Sequence, residues 1–309
     1  MRREKRVLAE VLAESQADVV LATHPAYAFL LEGILRDGGL SRAPLFFNVV
    51  TDSISINSLW WSGGSVCAGW FVPNEDSASV LRRTGIGKSR LFVCGFPVRS
   101  GLGRRLDVLQ TPGRWNVPRV LFIVNSEAWL AVELCGLLFA TRWRVTVAAG
   151  RNAELMAQIE KLAEEREGIE VLGWAENLPD LLISHHVVVS KAGGATVQEA
   201  LAAACPMVVC QWIPGQEEGN VELLSWHGAG CLAESAEEVM RTLRGVFENG
   251  GEQWLRWRAG AERLSRPFAA RDIVEVALAQ AGCGLNRGEP RKETAACREE
   301  KREVAGAFI

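Results

Sequence analysis

Between Val187 and Asn220 the chain reads VVVSKAGGATVQEALAAACPMVVCQWIPGQEEGN, a set of residues suited to holding a polyhydroxylated anion. Ala192-Gly193-Gly194-Ala195 is a turn of small residues after an apolar run, so backbone can approach a ligand closely there. Thr196 is expected to start a helix, with Glu199 three residues on in the T-x-x-E spacing of a capping box. The free N–H groups and positive dipole end of such a helix favour an anion, above all a phosphate. Glu199 has two uses on this reading, the capping box or a pair of sugar hydroxyls. Gln216, Glu217, Glu218 and Asn220 follow a second apolar run, and their amides and carboxylates supply donors and acceptors together. A solvated helix start after Pro214-Gly215 accounts for that cluster equally well. The expected ligand is a nucleotide diphosphate.

A second set of candidates lies early in the chain. Asp52 follows the run LFFNVVT, and a carboxylate at a strand end can take a proton from a hydroxyl nucleophile. Asp-Ser is also common turn chemistry, so a cap is the competing reading. His24 ends an earlier run and could orient an acceptor or a phosphate; a His-Pro pair capping a helix start is the alternative. Trp60-Trp61, beside Gly63-Gly64, reads as a loop where tryptophan meets an apolar substrate or a bilayer interface, whereas Phe71 reads as core.

These residues need elements to place them. Apolar runs at 18–23, 45–50, 66–72 and 90–94 alternate with helical patterns at 2–16, 25–36 and 75–83, the last capped by Asn74. After a stretch rich in Gly, Arg, Pro and Gln, a second series begins at Arg119 with strands at 119–124, 143–149 and 169–172 and helices at 127–140 and 153–166. Helices are expected again at 236–248, 252–264 and 270–281. The fold class is therefore α/β, two Rossmann-like domains with parallel sheets facing a cleft. Domains are expected at 1–105 and 119–282, with a linker at 106–118 and a charged tail at 283–309. Each candidate residue falls at the carboxyl end of a strand, where open α/β sheets bind ligands.

At 309 residues there is material for two cores, and a net charge of -3 gives no general drive toward nucleic acid. Eight cysteines without a C-x-x-C pair read as reduced, buried thiols. Adjacent His185 and His186 would face opposite sides of a strand, which argues against zinc, and no metal site is expected. Neither a membrane-spanning apolar run nor a signal peptide is evident, so the expected location is cytoplasmic.

The SKAGGATVQEALAAACPMVVCQWIPGQEEGN stretch resembles the donor-site motif of glycosyltransferase family 28, in particular the monogalactosyldiacylglycerol synthases and processive diacylglycerol glucosyltransferases. THPAY, VVTDSISINSLW, FVPNEDSASVLRRTGI and VCGFPV follow the same family's order. The resemblance implies a GT-B fold and an inverting, metal-independent hexosyl transfer from a UDP-sugar to diacylglycerol or a related membrane lipid. No cofactor is implied, and the protein would be peripheral on the inner face of the cell membrane. Gly193, Gly194, Ala195 and Thr196 would surround the diphosphate, Glu199 would bind ribose, and Gln216 and Glu217 would bind the hexose. Asp52 would be the acceptor base. The chain departs from the family in three places. The family's first strand and GGGH-type loop have no counterpart ahead of Asp18, so the chain reads as N-terminally truncated. Asn57 stands where some members have histidine, and Asn125-Ser126-Glu127-Ala128 replaces a glycine-rich loop. A catalytically silent UDP-sugar-binding protein is the alternative function.

Overall fold

A computed structural model describes residues 2–103, 112, 116–125 and 127–282. The first domain contains α1 (Arg2–Ser15), β1 (Val19–Ala22), α2 (Ala26–Arg36), β2 (Leu45–Val49), α3 (Leu59–Ser62), β3 (Cys67–Val72), α4 (Glu75–Arg83) and β4 (Leu91–Val93). The second begins with β5 (Arg119–Ile123), α5 (Ala128–Phe139), β6 (Arg144–Ala148), α6 (Ala153–Ala163) and β7 (Ile169–Leu172). It continues with α7 (Leu178–Ser184), β8 (Val187–Lys191), α8 (Gly194–Ala202), β9 (Met207–Gln211), α9 (Glu218–Trp226) and β10 (Gly230–Leu232). Helices α10 (Ala236–Phe247), α11 (Glu252–Leu264) and α12 (Ala269–Gln280) close the described chain.

Both sheets are parallel. The first has the order β1-β2-β3-β4 and the second β10-β9-β8-β5-β6-β7. In the second sheet the chain moves outward from β5 to β7, then returns to the other side of β5 as β8. That reversal opens a crevice at the carboxyl ends of β5 and β8. Strand residues alternate between two cores, as a two-residue period requires. Val120, Phe122, Val187 and Val189 join α5 and α10 on one face, while Leu121, Ile123, Val188 and Val209 join α8 on the other.

The chain crosses between domains twice. Val98 and Leu102 already pack in the core beneath the second sheet, so the first crossing is complete ahead of the expected linker. Helix α12 returns, and its Ile273 and Ala277 pack with Phe47, Val49 and Phe71 of the first sheet. Sequence order places α12 with the second domain, behind two of that domain's helices, but its apolar face belongs to the first. Gly95, at φ 102, lets the crossings run side by side, since a Cβ there would sit 2.6 Å from Arg266 Cβ. The 106–118 linker (apart from 112 and 116–118), the 283–309 tail, Cys283 and Cys297 lie outside the described residues.

Asn74 Oδ1 accepts from Ser77 N at 2.8 Å, the cap expected for α4. The six described cysteines are free thiols, and burial pushes Cys67, Cys135 and Cys205 up to about 12. His185 and His186 take separate partners: His185 Nδ1 donates to Leu181 O, while His186 Nδ1 accepts from Arg119 N. Helices α3, α7 and α9 and strand β10 are additional to the expected elements.

Candidate active site

The turn after β8 leads directly into α8, which starts at Gly194 with Gly193 as N-cap and no side-chain cap. This corrects the capping-box expectation. Thr196 is already inside the first turn, so its hydroxyl is not at the capping position, and Glu199 is engaged elsewhere. Arg99 donates from Nε and Nη2 to both carboxylate oxygens of Glu199, at 2.7 and 2.9 Å. With no side-chain cap hydrogen bond at the helix start, its first-turn N–H groups are available to an anion. Lining a cavity of about 310 Å³ are Asn125, Gly150, Trp174, Thr196, Glu199 and Arg99 among others. It sits past the carboxyl ends of β5, β6 and β7 beside the first turns of α8, with Arg151 stacked 4.4 Å over the Trp174 ring.

The polar cluster is divided by burial. Gln216 is exposed on a turn in which Gly215 has φ 76. Glu217 is 5% exposed; its Oε1 pairs with Lys191 Nζ at 2.9 Å and its Oε2 accepts from Ile213 N. Asn220 donates from Nδ2 to Ala192 O at 2.9 Å, bracing the glycine turn. Its Oδ1 is buried without a hydrogen-bond partner, as is Gln211 Oε1 at the end of β9. Asn48 Oδ1, fully buried in β2, is in the same state.

The first domain contributes Asp52, which is half-buried after β2. Trp60 Nε1 donates to Asp52 Oδ2 at 2.6 Å, so the carboxylate is held by the core rather than capping a turn. The tryptophan pair is therefore not an exposed loop: Trp60 is 1% exposed within α3, and Trp61 is half-buried. Trp60 belongs to the first domain's core cluster with Ala28, Leu31, Phe46 and Trp70. His24 serves its own helix. Its Nδ1 accepts from Ala26 N at 3.2 Å, and its exposed ring meets Tyr27 edge-on.

Two contacts bring the half-sites together. A Cβ on Gly194 would lie 3.4 Å from Thr51 O, so the α8 start abuts the residue before Asp52. Gln198 Nε2 donates to Ser53 Oγ, the residue after it. Arg99, Lys191, Ser53 and Gln198 were not singled out from the sequence; only the fold joins residues so far apart in the chain. Among the described residues, no group of three or more His, Cys, Asp or Glu side chains has the geometry to hold a metal ion.

Comparison with known proteins divides the chain where the structure does. The family model for monogalactosyldiacylglycerol (MGDG) synthase matches residues 4–98, and that for the glycosyltransferase family 28 C-terminal domain matches residues 124–250. The chain belongs to glycosyltransferase family 28. Within that family it is 26% identical over 280 residues to monogalactosyldiacylglycerol synthase 3, chloroplastic, of Arabidopsis thaliana, covering 85% of this chain and 59% of that one. Monogalactosyldiacylglycerol synthase 1, chloroplastic, of the same plant is 24% identical over 284 residues, covering 87% and 53%. The chain thus spans just over half the length of these relatives. Among solved structures, MurG of Acinetobacter baumannii superposes with TM-score 0.64 at 12% identity, covering 89% of this chain and 78% of that one. The S. aureus MnaA-UDP co-structure gives 0.66 at 12% identity, covering 95% and 83%. The architecture of this family 28 chain is GT-B.

Proposed function

We propose that this chain transfers a hexosyl group from a UDP-sugar to a hydroxyl of diacylglycerol or a related membrane lipid. The observation that carries the reading is the approach of Thr51 O to Gly194, which sets the Asp52 loop against the open start of α8. A carboxylate from one domain and an anion site from the other then share one cleft. The MGDG synthase names of the relatives make UDP-galactose and diacylglycerol the first pair to test.

In the proposed step the lipid hydroxyl oxygen attacks the anomeric carbon opposite the diphosphate, and Asp52 takes the hydroxyl proton. The bond from the anomeric carbon to the β-phosphate oxygen breaks, and its electron pair leaves on UDP. Attack and departure in line invert the anomeric centre. Charge growing on the diphosphate meets the N–H groups of Gly194, Ala195 and Thr196 and the helix dipole, in the place a metal ion would otherwise take. Glu199 accepts from ribose hydroxyls, while Gln216 and Glu217 meet the hexose. Such a protein works at the membrane surface; no described helix is long and apolar enough to cross a membrane.

The test is UDP release in the presence of diacylglycerol vesicles and UDP-galactose, UDP-glucose or UDP-N-acetylglucosamine. A glycolipid of inverted anomeric configuration is expected, at a rate insensitive to EDTA and abolished by Asp52→Asn. UDP binding with no release from any donor would overturn transfer and leave a sugar-nucleotide-binding protein.

A further inference from the structure

A carboxylate on a loop ordinarily turns freely, but one oxygen of Asp52 is already committed. Trp60 Nε1 donates to Oδ2 at 2.6 Å. Trp60 is itself fixed by the first domain's core: its carbonyl accepts from Trp70 Nε1 at 2.6 Å and from Asn48 Nδ2 at 3.1 Å, and its amide donates to Asn57 O. Asn48 is fully buried in β2, where Nδ2 also meets Cys67 Sγ at 3.2 Å, and Arg90 lies 4.7 Å over the Trp70 ring. A continuous line of contacts therefore runs from β2 and β3 through one buried indole to a half-buried carboxylate at the cleft.

The chemistry of that last contact is specific. An indole N–H donates and never accepts, and it does not exchange roles with a carboxylate as a hydroxyl or an imidazole can. It occupies Oδ2 as a fixed donor and leaves Oδ1 to receive a proton. We propose that Trp60 is a positioning residue: it locks the Asp52 carboxylate so that Oδ1 faces the acceptor hydroxyl beside the α8 start. This rests on the reading of Asp52 as the acceptor base. Packing alone does not require the bond, since phenylalanine would fill most of the same volume without an N–H.

Trp60→Phe separates the two roles. Misplacement of a reacting group by about 1 Å can lower a rate by roughly 100-fold. Turnover of Trp60→Phe is expected to fall by about 10- to 100-fold, with the KM for UDP-sugar and the Kd for UDP within twofold of the parent chain. In an Asp52→Ala background the same change is expected to lower residual turnover no further. A purely structural tryptophan would instead weaken UDP binding and lower turnover equally in both backgrounds. The bond also has a direct signature independent of activity: the Trp60 indole ¹⁵N–¹H resonance of the full chain should shift upfield in Asp52→Ala. Should Trp60→Phe fail to fold, that resonance decides alone, and its failure to move overturns the proposal. Parental turnover in Trp60→Phe, with Asp52→Asn inactive, overturns the positioning role and leaves the base assignment standing. Full transfer by Asp52→Asn removes the base assignment itself, and the inference with it.

Discussion

Gln198 Nε2 donates to Ser53 Oγ across 2.9 Å, tying the helix that starts at the glycine turn to the residue beside Asp52. The two residues are 7% and 4% exposed, so the bond is shielded from water. It sets how far the anion site stands from the carboxylate. Gln198→Ala leaves Ser53 Oγ short of a partner, and a neutral buried bond of this kind is worth about 0.5–1.5 kcal/mol. The expected result is a several-fold loss of turnover with UDP affinity little changed. A double-mutant cycle with Ser53→Ala should show coupling near that size; additive effects would mean that the bond does not hold the domains in register.

Gly219 faces the same loop from α9. A Cβ there would lie 2.0 Å from Ser53 O and 2.4 Å from Ser55 N, both backbone atoms that cannot rotate away. Between them Ile54 already sits at φ 58, where a β-branched residue is strained. The Ile54 side chain packs against the second domain's core, so the loop has little freedom to yield. Gly219→Ala is expected to force the domains apart, with turnover reduced at least about 10-fold while UDP binding persists. Small-angle scattering should report an increased radius of gyration. An unchanged radius with parental turnover would refute the close approach.

These contacts mark the limit of what the sequence discloses. The strand and helix pattern was legible because it is local: Val120 to Val124 and Val187 to Val189 read as buried strands on apolar content alone. Gly193 and Gly194 were legible for the same reason, as a turn between two recognisable elements. By contrast, α7 spans only the seven residues Leu178 to Ser184, too few for a helical period to stand out, although Pro179 marks its first turn. The polar start of α9 was ambiguous with a loop because Glu217 and Asn220 point inward to partners on β8 and its turn. Arg99 and Glu199 are 100 residues apart and Gln198 and Ser53 are 145 apart, distances no periodicity spans. Glu199 matched a capping box because the spacing is local, but a distant guanidinium took the carboxylate.

That guanidinium makes a prediction of its own. Glu199 is 8% exposed, and Arg99 engages both of its oxygens, so ribose hydroxyls must share or displace the pair. The Arg99 side chain is 47% exposed, and solvent screening keeps the ion pair from being a large stability term. Arg99→Gln is expected to raise affinity for uridine, which carries no phosphate, by several-fold in calorimetric titration. Glu199→Ala should abolish uridine binding in either background. Weaker uridine binding in Arg99→Gln would mean that the guanidinium contacts the nucleoside instead of guarding the carboxylate.

Acid sensitivity should trace to His185. The ring is 7% exposed, and burial pushes its pKa down from 6.5 to about 4, while Arg119 adds a smaller push in the same direction. Leu181 O accepts from Nδ1 at 2.7 Å, which fixes the proton of the neutral ring there and opposes the shift, and Nε2 lies 3.0 Å from Thr146 Oγ1. Above pH 6.5 the ring is neutral folded or unfolded and gives no pH dependence. Below it the unfolded chain binds a proton that the folded chain refuses, so stability falls until the folded ring also titrates near pH 4. A shift of this size corresponds to about 3 kcal/mol lost across that window. Urea midpoints measured at pH 7, 5.5 and 4.5 should therefore fall more steeply for the parent chain than for His185→Gln. The variant starts lower at pH 7, having lost the buried ring's contacts, and its curve should be flatter over this range. Parallel curves for the two proteins would show that His185 is not the group that refuses the proton.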